Sequence, residues 1–163
     1  MSAARSRDLG GRLAERAVEL VSIDLADWRF RSEVGVEPGS VRYEDGLLRF
    51  VAYLPCEYFE PSPEEVREVA DEEDIGKLYR GLYCLERVVV FGENEGELRR
   101  NIENEKRLDA EKLCDAIMTV LEVDPVDVGG REYWLNIEEV RPSVAGDRVR
   151  CEVSARVSHS PRW

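Results

Sequence analysis

The sequence predicts an α+β fold, a mostly antiparallel sheet with an N-terminal helix, a short acidic helix and one main amphipathic helix, in the order α-β-β-β-α-β-α-β-β. Three observations predict it. Apolar residues recur at helical spacing in two segments, the chain closes on a strictly alternating segment, and Asp45-Gly46 lies between β-forming runs. At 163 residues the chain fits a single domain, 1–163, and is long enough to bury about two thirds of its unfolded surface.

The first helix is expected over about 6–22, where Leu9, Leu13, Ala17, Leu20 and Val21 share a face and Gly10 and Gly11 weaken the first turn. "WRFRSEV" reads as a strand that stops at the turn cluster "EPGS". "VRYEDGLLRFVAYL" reads as a hairpin whose second arm, Leu47 to Leu54, is apolar on both faces and so belongs mid-sheet, with Pro55 ending it. "PSPEEVREVADEED" opens with Ser62 as N-cap, Pro63 at the first helical position and Glu65 completing a capping box. Only Val66, Val69 and Ala70 of that helix could face a core, so it rides on the surface. "LYRGLYCLERVVVF" reads as one long strand, 78–91. The polar stretch "ENEGELRRNIENEK", 93–106, reads as a loop merging into the exposed start of a helix at about 109–121, with Asp109 as a possible N-cap. That helix carries the stripe Ala110, Leu113, Cys114, Ile117, Val120 and Leu121. "DPVDVGG" reads as a loop and "RPSVAGD" as a hairpin loop between two closing strands. In the last of these, Val149, Cys151, Val153, Ala155 and Val157 face one way, and charged or small polar residues face the other. Trp28 is expected to close one end of the core, and Tyr133 and Trp134 to pack in or beside it.

The formal charge is −12 and is unevenly spread. Residues 57–74 carry nine acids against Arg67, a net −8, whereas 1–16 carry a net +2 and 141–163 a net +3. Such a chain would be repelled by a nucleic-acid backbone, so no nucleic-acid partner is expected. No apolar stretch is long enough for a membrane helix, and "MSAARSRDLGGR" lacks the apolar centre of a signal peptide, so no membrane partner is expected. Arg outnumbers Lys twenty to three, which fits either bidentate ion pairs at interfaces or a coding, salt or heat adaptation of the source. The four cysteines have no C-x-x-C pair. With Cys114 and Cys151 on apolar faces, they are read as buried free thiols, a disulfide being the alternative.

No residue set points to catalysis, a cofactor or a metal. His159, the only histidine, lies beyond the last strand, where the oriented partner and the pocket that a general base needs are not expected. "ADEED" lacks the glycine and spacing of a calcium loop. "FGENEG" has neither the dinucleotide-binding spacing nor the phosphate-loop lysine, and Glu93, Glu95 and Glu97 would repel a phosphate. The chain is therefore expected not to be an enzyme.

The order of elements from 85 to 158, "LERVVVFGENEGE", then "AEKLCDAIMTVL", then "YWLNIEEVRPSVAGDRVRCEVSARV", resembles the tail-terminator (tail-completion) proteins of long-tailed bacteriophages. The resemblance implies a small α+β subunit that forms a ring, caps the tail tube and joins it to the head connector. Its partners would be copies of itself, tube and connector proteins, and its place the virion. Opposite charges on one chain suit head-to-tail contact between copies. The expected contact residues are Glu64, Glu65, Glu68, Asp71 and Glu72 in the acidic insertion (about 57–77), Glu97, Arg99, Arg100 and Arg107 beside the polar stretch, and Arg150 and Arg156 on the last strand. The tail 159–163 is expected to be flexible or to anchor through Trp163 on a neighbour. The alternative expectation is a small cytoplasmic protein-binding or regulatory domain without catalytic activity.

Overall fold

The computed structural model describes residues 3–27 and 33–160. The expected strand 28–34, the placement of Trp28 and the role of Trp163 fall wholly or mainly outside them. The elements are α1 (Ala3–Asp27), β1 (Gly35–Val36), β2 (Arg42–Glu44), β3 (Leu47–Pro55), β4 (Glu57–Phe59), α2 (Pro63–Val69), β5 (Leu78–Tyr83), β6 (Arg87–Gly92), α3 (Glu95–Val123), β7 (Val126–Val128), β8 (Arg131–Ala145) and β9 (Arg148–Ser158). The α+β class and the mostly antiparallel sheet are as expected.

Six strands form the main sheet in the order β1-β3-β9-β8-β7, with β2 also on β3, and β4-β5-β6 form a second, smaller sheet. Asp45 and Gly46 take φ of 54° and 77°, the left-handed pair that a two-residue hairpin turn needs. β3 lies mid-sheet between the β1/β2 side and β9, and it ends at Pro55. The inward face offers Leu48, Phe50, Ala52 and Leu54 from β3 and Val149, Cys151, Val153 and Ala155 from β9, all buried. Helices α1 and α3 pack on that face and on each other. Helix α1 brings Leu13, Ala17, Val21 and Leu25. Gly10 has a packing reason to be glycine: a Cβ there would stand 2.8 Å from Tyr43 Cβ.

Four expectations need correction. The strand 78–91 is a hairpin, β5 and β6, because Cys84 and Leu85 leave the ladder to enter the core. The main helix starts at Glu95, capped by Asn94, and not near Asp109: Asn94 Oδ1 accepts the Glu97 N–H at 2.9 Å, and Leu98 and Ile102 extend the apolar stripe toward the N-terminus. Asp109 is buried in mid-helix. "DPVDVGG" contains β7, whose Val126 and Val128 are buried, and β8 continues through Ala145, which leaves only Gly146-Asp147 as the turn. The element order is therefore α-β-β-β-β-α-β-β-α-β-β-β.

The cysteines are the fourth. Cys56 is bonded to Cys84 and Cys114 to Cys151, so no thiol is free. The apolar helix face and the apolar strand face that suggested isolated thiols face each other across the core. Disulfides persist in oxidising compartments and in cells of extreme thermophiles.

Candidate functional site

The acidic insertion is an arm: β4, α2, a 3-10 turn over Glu72–Asp74, and β5. Its local order follows from the sequence. The Glu65 N–H donates to Ser62 Oγ and the Ser62 N–H to Glu65 Oε1, each at 3.2 Å, and Pro63 needs no N–H partner in the first turn. Glu65 also holds the Arg87 guanidinium at 3.2 Å, which lies 3.6 Å over the Phe59 ring. This fastens α2 to the small sheet. The Glu65 carboxyl sits below the usual range, chiefly because it accepts the Ser62 N–H; burial opposes this, and the Arg87 guanidinium adds to the lowering. Asp74 accepts the Asp71 N–H and pairs with Lys77 at 3.4 Å. Helix α2 buries none of its residues, as expected. Tyr58, Val69, Ile75, Leu78 and Tyr79 of the arm are exposed.

Between the small sheet, the first half of α3 and the β8–β9 turn lies a cleft of about 470 Å³, lined among others by Tyr58, Arg80, Leu98, Arg99 and Lys106. Lys106 is only 3% exposed. Its ammonium donates to Gly146 C=O at 3.2 Å and pairs with Glu103 at 3.3 Å and Asp147 at 3.4 Å. Burial pulls its pKa down, but the Tyr58 hydroxyl and Glu103 outweigh it and hold the ammonium above its ordinary value. Arg80 lies 4.1 Å over the Tyr58 ring, so the cleft wall is a cation stacked on an aromatic face.

Asp109 is less well compensated. It is 2% exposed and accepts the Leu85 N–H at 3.3 Å. Burial pushes its carboxyl up to about 6, against the Leu85 N–H and Lys112, which pull it down. The folded chain thus holds this proton more tightly than the unfolded chain. Stability falls as pH rises from about 4 to about 6 and stays lower above that. Asp109→Asn keeps an acceptor for Leu85 and carries no charge. It is expected to be more stable than the parent by about 2 kcal/mol at about pH 8 and equal to it near pH 4, as measured by urea unfolding at the two values.

Most of the residues expected at a contact lie on the arm and on the exposed flank of α3. Glu64, Glu68, Asp71 and Glu72 are exposed on the arm, and Arg99 and Arg100 on α3. Glu97 is half-buried in the first turn of α3, and Arg107 donates to Asn104 Oδ1 at 3.0 Å. Arg150 and Arg156 do not join them. On the outer face of the main sheet, Arg150 grips Glu37 at 2.8 Å and Arg156 reaches Glu138 at 3.4 Å and Asp45 C=O at 3.1 Å. Lys106, Asp109, Arg80 and Arg87 were not anticipated. The signal for Lys106 was the four-residue step Leu98, Ile102, Lys106, Ala110: a lysine on an apolar stripe has to find buried partners.

Among the described residues, no group of three or more His, Cys, Asp and Glu is arranged to hold a metal ion. No described helix is long and apolar enough to cross a membrane. The chain matches no protein-family model, no curated protein and no solved structure.

Proposed function

We propose that the chain is a structural assembly subunit, resembling a phage tail terminator, that forms a homo-oligomer through its acidic arm and the exposed flank of α3. One observation carries this reading. Of the nine large apolar side chains exposed among the described residues, five (Tyr58, Val69, Ile75, Leu78 and Tyr79) lie on the arm, whose residues 57–74 also carry a net −8. An arm that spends apolar surface on solvent and buries nothing of α2 is costly in a monomer and useful at an interface. Its surplus acids call for cations on the neighbouring copy, and Arg99 and Arg100 are exposed cations on the flank of α3. A head-to-tail contact of this kind closes into a ring when the rotation per subunit permits.

Native mass spectrometry and light scattering over a wide concentration range test the reading. Oligomers are expected for the parent chain. Arg99→Glu with Arg100→Glu, and separately Ile75→Asp with Leu78→Asp, should shift the population to monomer. Circular dichroism should stay unchanged, because all four side chains are exposed. A parent chain that is monomeric throughout, or variants that assemble like the parent, would remove the arm and this flank of α3 from any interface.

A further inference from the structure

Strand β8 is fifteen residues long, yet β7 pairs only with Arg131–Tyr133. Beyond Tyr133 that edge has no strand partner among the described residues. Which backbone groups face it follows from the hairpin. Gly146-Asp147 is a two-residue turn, so Ala145 and Arg148 are the closing hydrogen-bonded pair. Counting from there, even-numbered residues of β9 turn their N–H and C=O toward β8 and odd-numbered ones toward β3. The Val157 N–H, which donates to Gly46 C=O at 2.9 Å, agrees. Trp134 and Asn136, opposite Ser158 and Arg156, therefore bond β9. Leu135 and Ile137 turn their N–H and C=O to the open edge, just as Tyr133 turns its own toward β7.

The last turns of α3 run beside this edge. Met118, Leu121 and Glu122 on the helix, with Trp134–Val140 on the strand, line a groove of about 600 Å³, and Met118 is 42% exposed. The groove continues the track of β7, which is cut short where the chain turns at Asp124 and Pro125 into the helix. The far half of β8 is defended against pairing by the bulge between Ile137 and Glu139, by Pro142, which has no N–H, and by charged Glu138, Glu139 and Arg141. The stretch Trp134–Ile137 carries none of these devices. That division discourages a whole-edge pairing of two copies and leaves room for a short strand.

The charge of the groove is negative. Glu122 lines it, and Glu138 and Glu139, each paired with an arginine of its own chain, form its rim. The last turn of α3 has no basic residue and is followed by Asp124, so the negative end of the helix dipole is unopposed there.

We propose that this groove binds a short extended peptide segment of a partner protein, apolar at alternate positions and bearing Lys or Arg, as a strand added to Leu135–Ile137. Its apolar side chains face Met118 and Leu121, and its cations face Glu122 and the end of α3. The inference makes no use of the arm at 57–79 and stands or falls apart from the assembly reading.

The test is amide hydrogen exchange of the full chain with a short synthetic peptide of alternating valine and lysine. The peptide is expected to slow exchange at Leu135 and Ile137 by about tenfold or more, and a valine–glutamate peptide to leave it unchanged. Glu122→Lys and Met118→Asp, both at exposed positions, are each expected to weaken binding about tenfold without unfolding the chain. Four results would each overturn the proposal: no binding of the lysine peptide, binding with both amides exchanging as in the free chain, full binding by Glu122→Lys, or edge protection that rises with protein concentration in the absence of peptide. The last would assign the edge to a second copy.

Discussion

Replacing Cys114 and Cys151 together by alanine is expected to lower the melting temperature by about 10 °C. The bond ties α3 to β9, the two elements that share the centre of the core, and closes a segment of 37 residues. On the chain-entropy account, a closure of that length restrains the unfolded state by about 4 kcal/mol. In a chain of this size each kcal/mol moves the midpoint by about 3 °C. Both sulfurs are buried, so the double variant also leaves a small void between the helix and the sheet. Calorimetry of the parent and of the variant, each with and without reductant, is the measurement. In reductant, which opens Cys56–Cys84 in both proteins, the parent should melt close to the variant. Equal midpoints in the two unreduced proteins would show that the bond contributes nothing to stability. A thiol titration in denaturant should find no free thiol in the unreduced parent, since all four cysteines are paired.

The second large effect is expected at Gly92. The glycine ends β6, and only Glu93 and Asn94 separate it from the first turn of α3. A Cβ on Gly92 would collide with the backbone N and Cα of Leu98. Those atoms belong to the helix and cannot swing aside like a side chain, so Gly92→Ala must push α3 away from β6. We expect a loss of about 3 kcal/mol or more, at the upper end of overpacking effects. Gly96, four residues later, is the control. A Cβ there meets only Asn94 Oδ1, at 3.3 Å, and alanine favours the helix. Gly96→Ala should change stability by no more than about 1 kcal/mol in either direction. Denaturant unfolding of the two variants decides the matter, and similar costs at both positions would contradict the close-approach account. The two glycines of "FGENEG" thus differ in kind: Gly92 is set by packing, and Gly96 is a replaceable residue in a first turn.

The elements whose order was legible are those in which local pattern and burial agree. The Asp45-Gly46 hairpin, the Ser62 capping box, the surface position of α2 and the alternation of β9 each depend on neighbours in the chain. Apart from the start of α3, which the local Asn94 cap sets, the elements misread are those in which a distant partner supplies the cause. Lys106 and Asp109 look like breaks in the helical stripe until Asp147, Gly146 and Leu85, far along the chain, are brought against them. The 78–91 run looks like one strand until Cys84 is drawn to Cys56 and Leu85 to Asp109. The candidate contact surface was legible as charge but not as geometry: the acidic arm and the α3 arginines are exposed, whereas Arg150 and Arg156 are held by acids on the outer face of the main sheet.

By itself, the sequence determined the fold class, the two packing helices, the closing antiparallel pair and the segregation of charge, because hydrophobic periodicity and turn chemistry act over a few residues. Only the tertiary structure decided the pairing of the cysteines, the burial of Lys106 and Asp109 and, among the described residues, the edge of β8 that β7 leaves unpaired. Each of these depends on which segments distant in sequence meet in space, and no local pattern encodes that meeting.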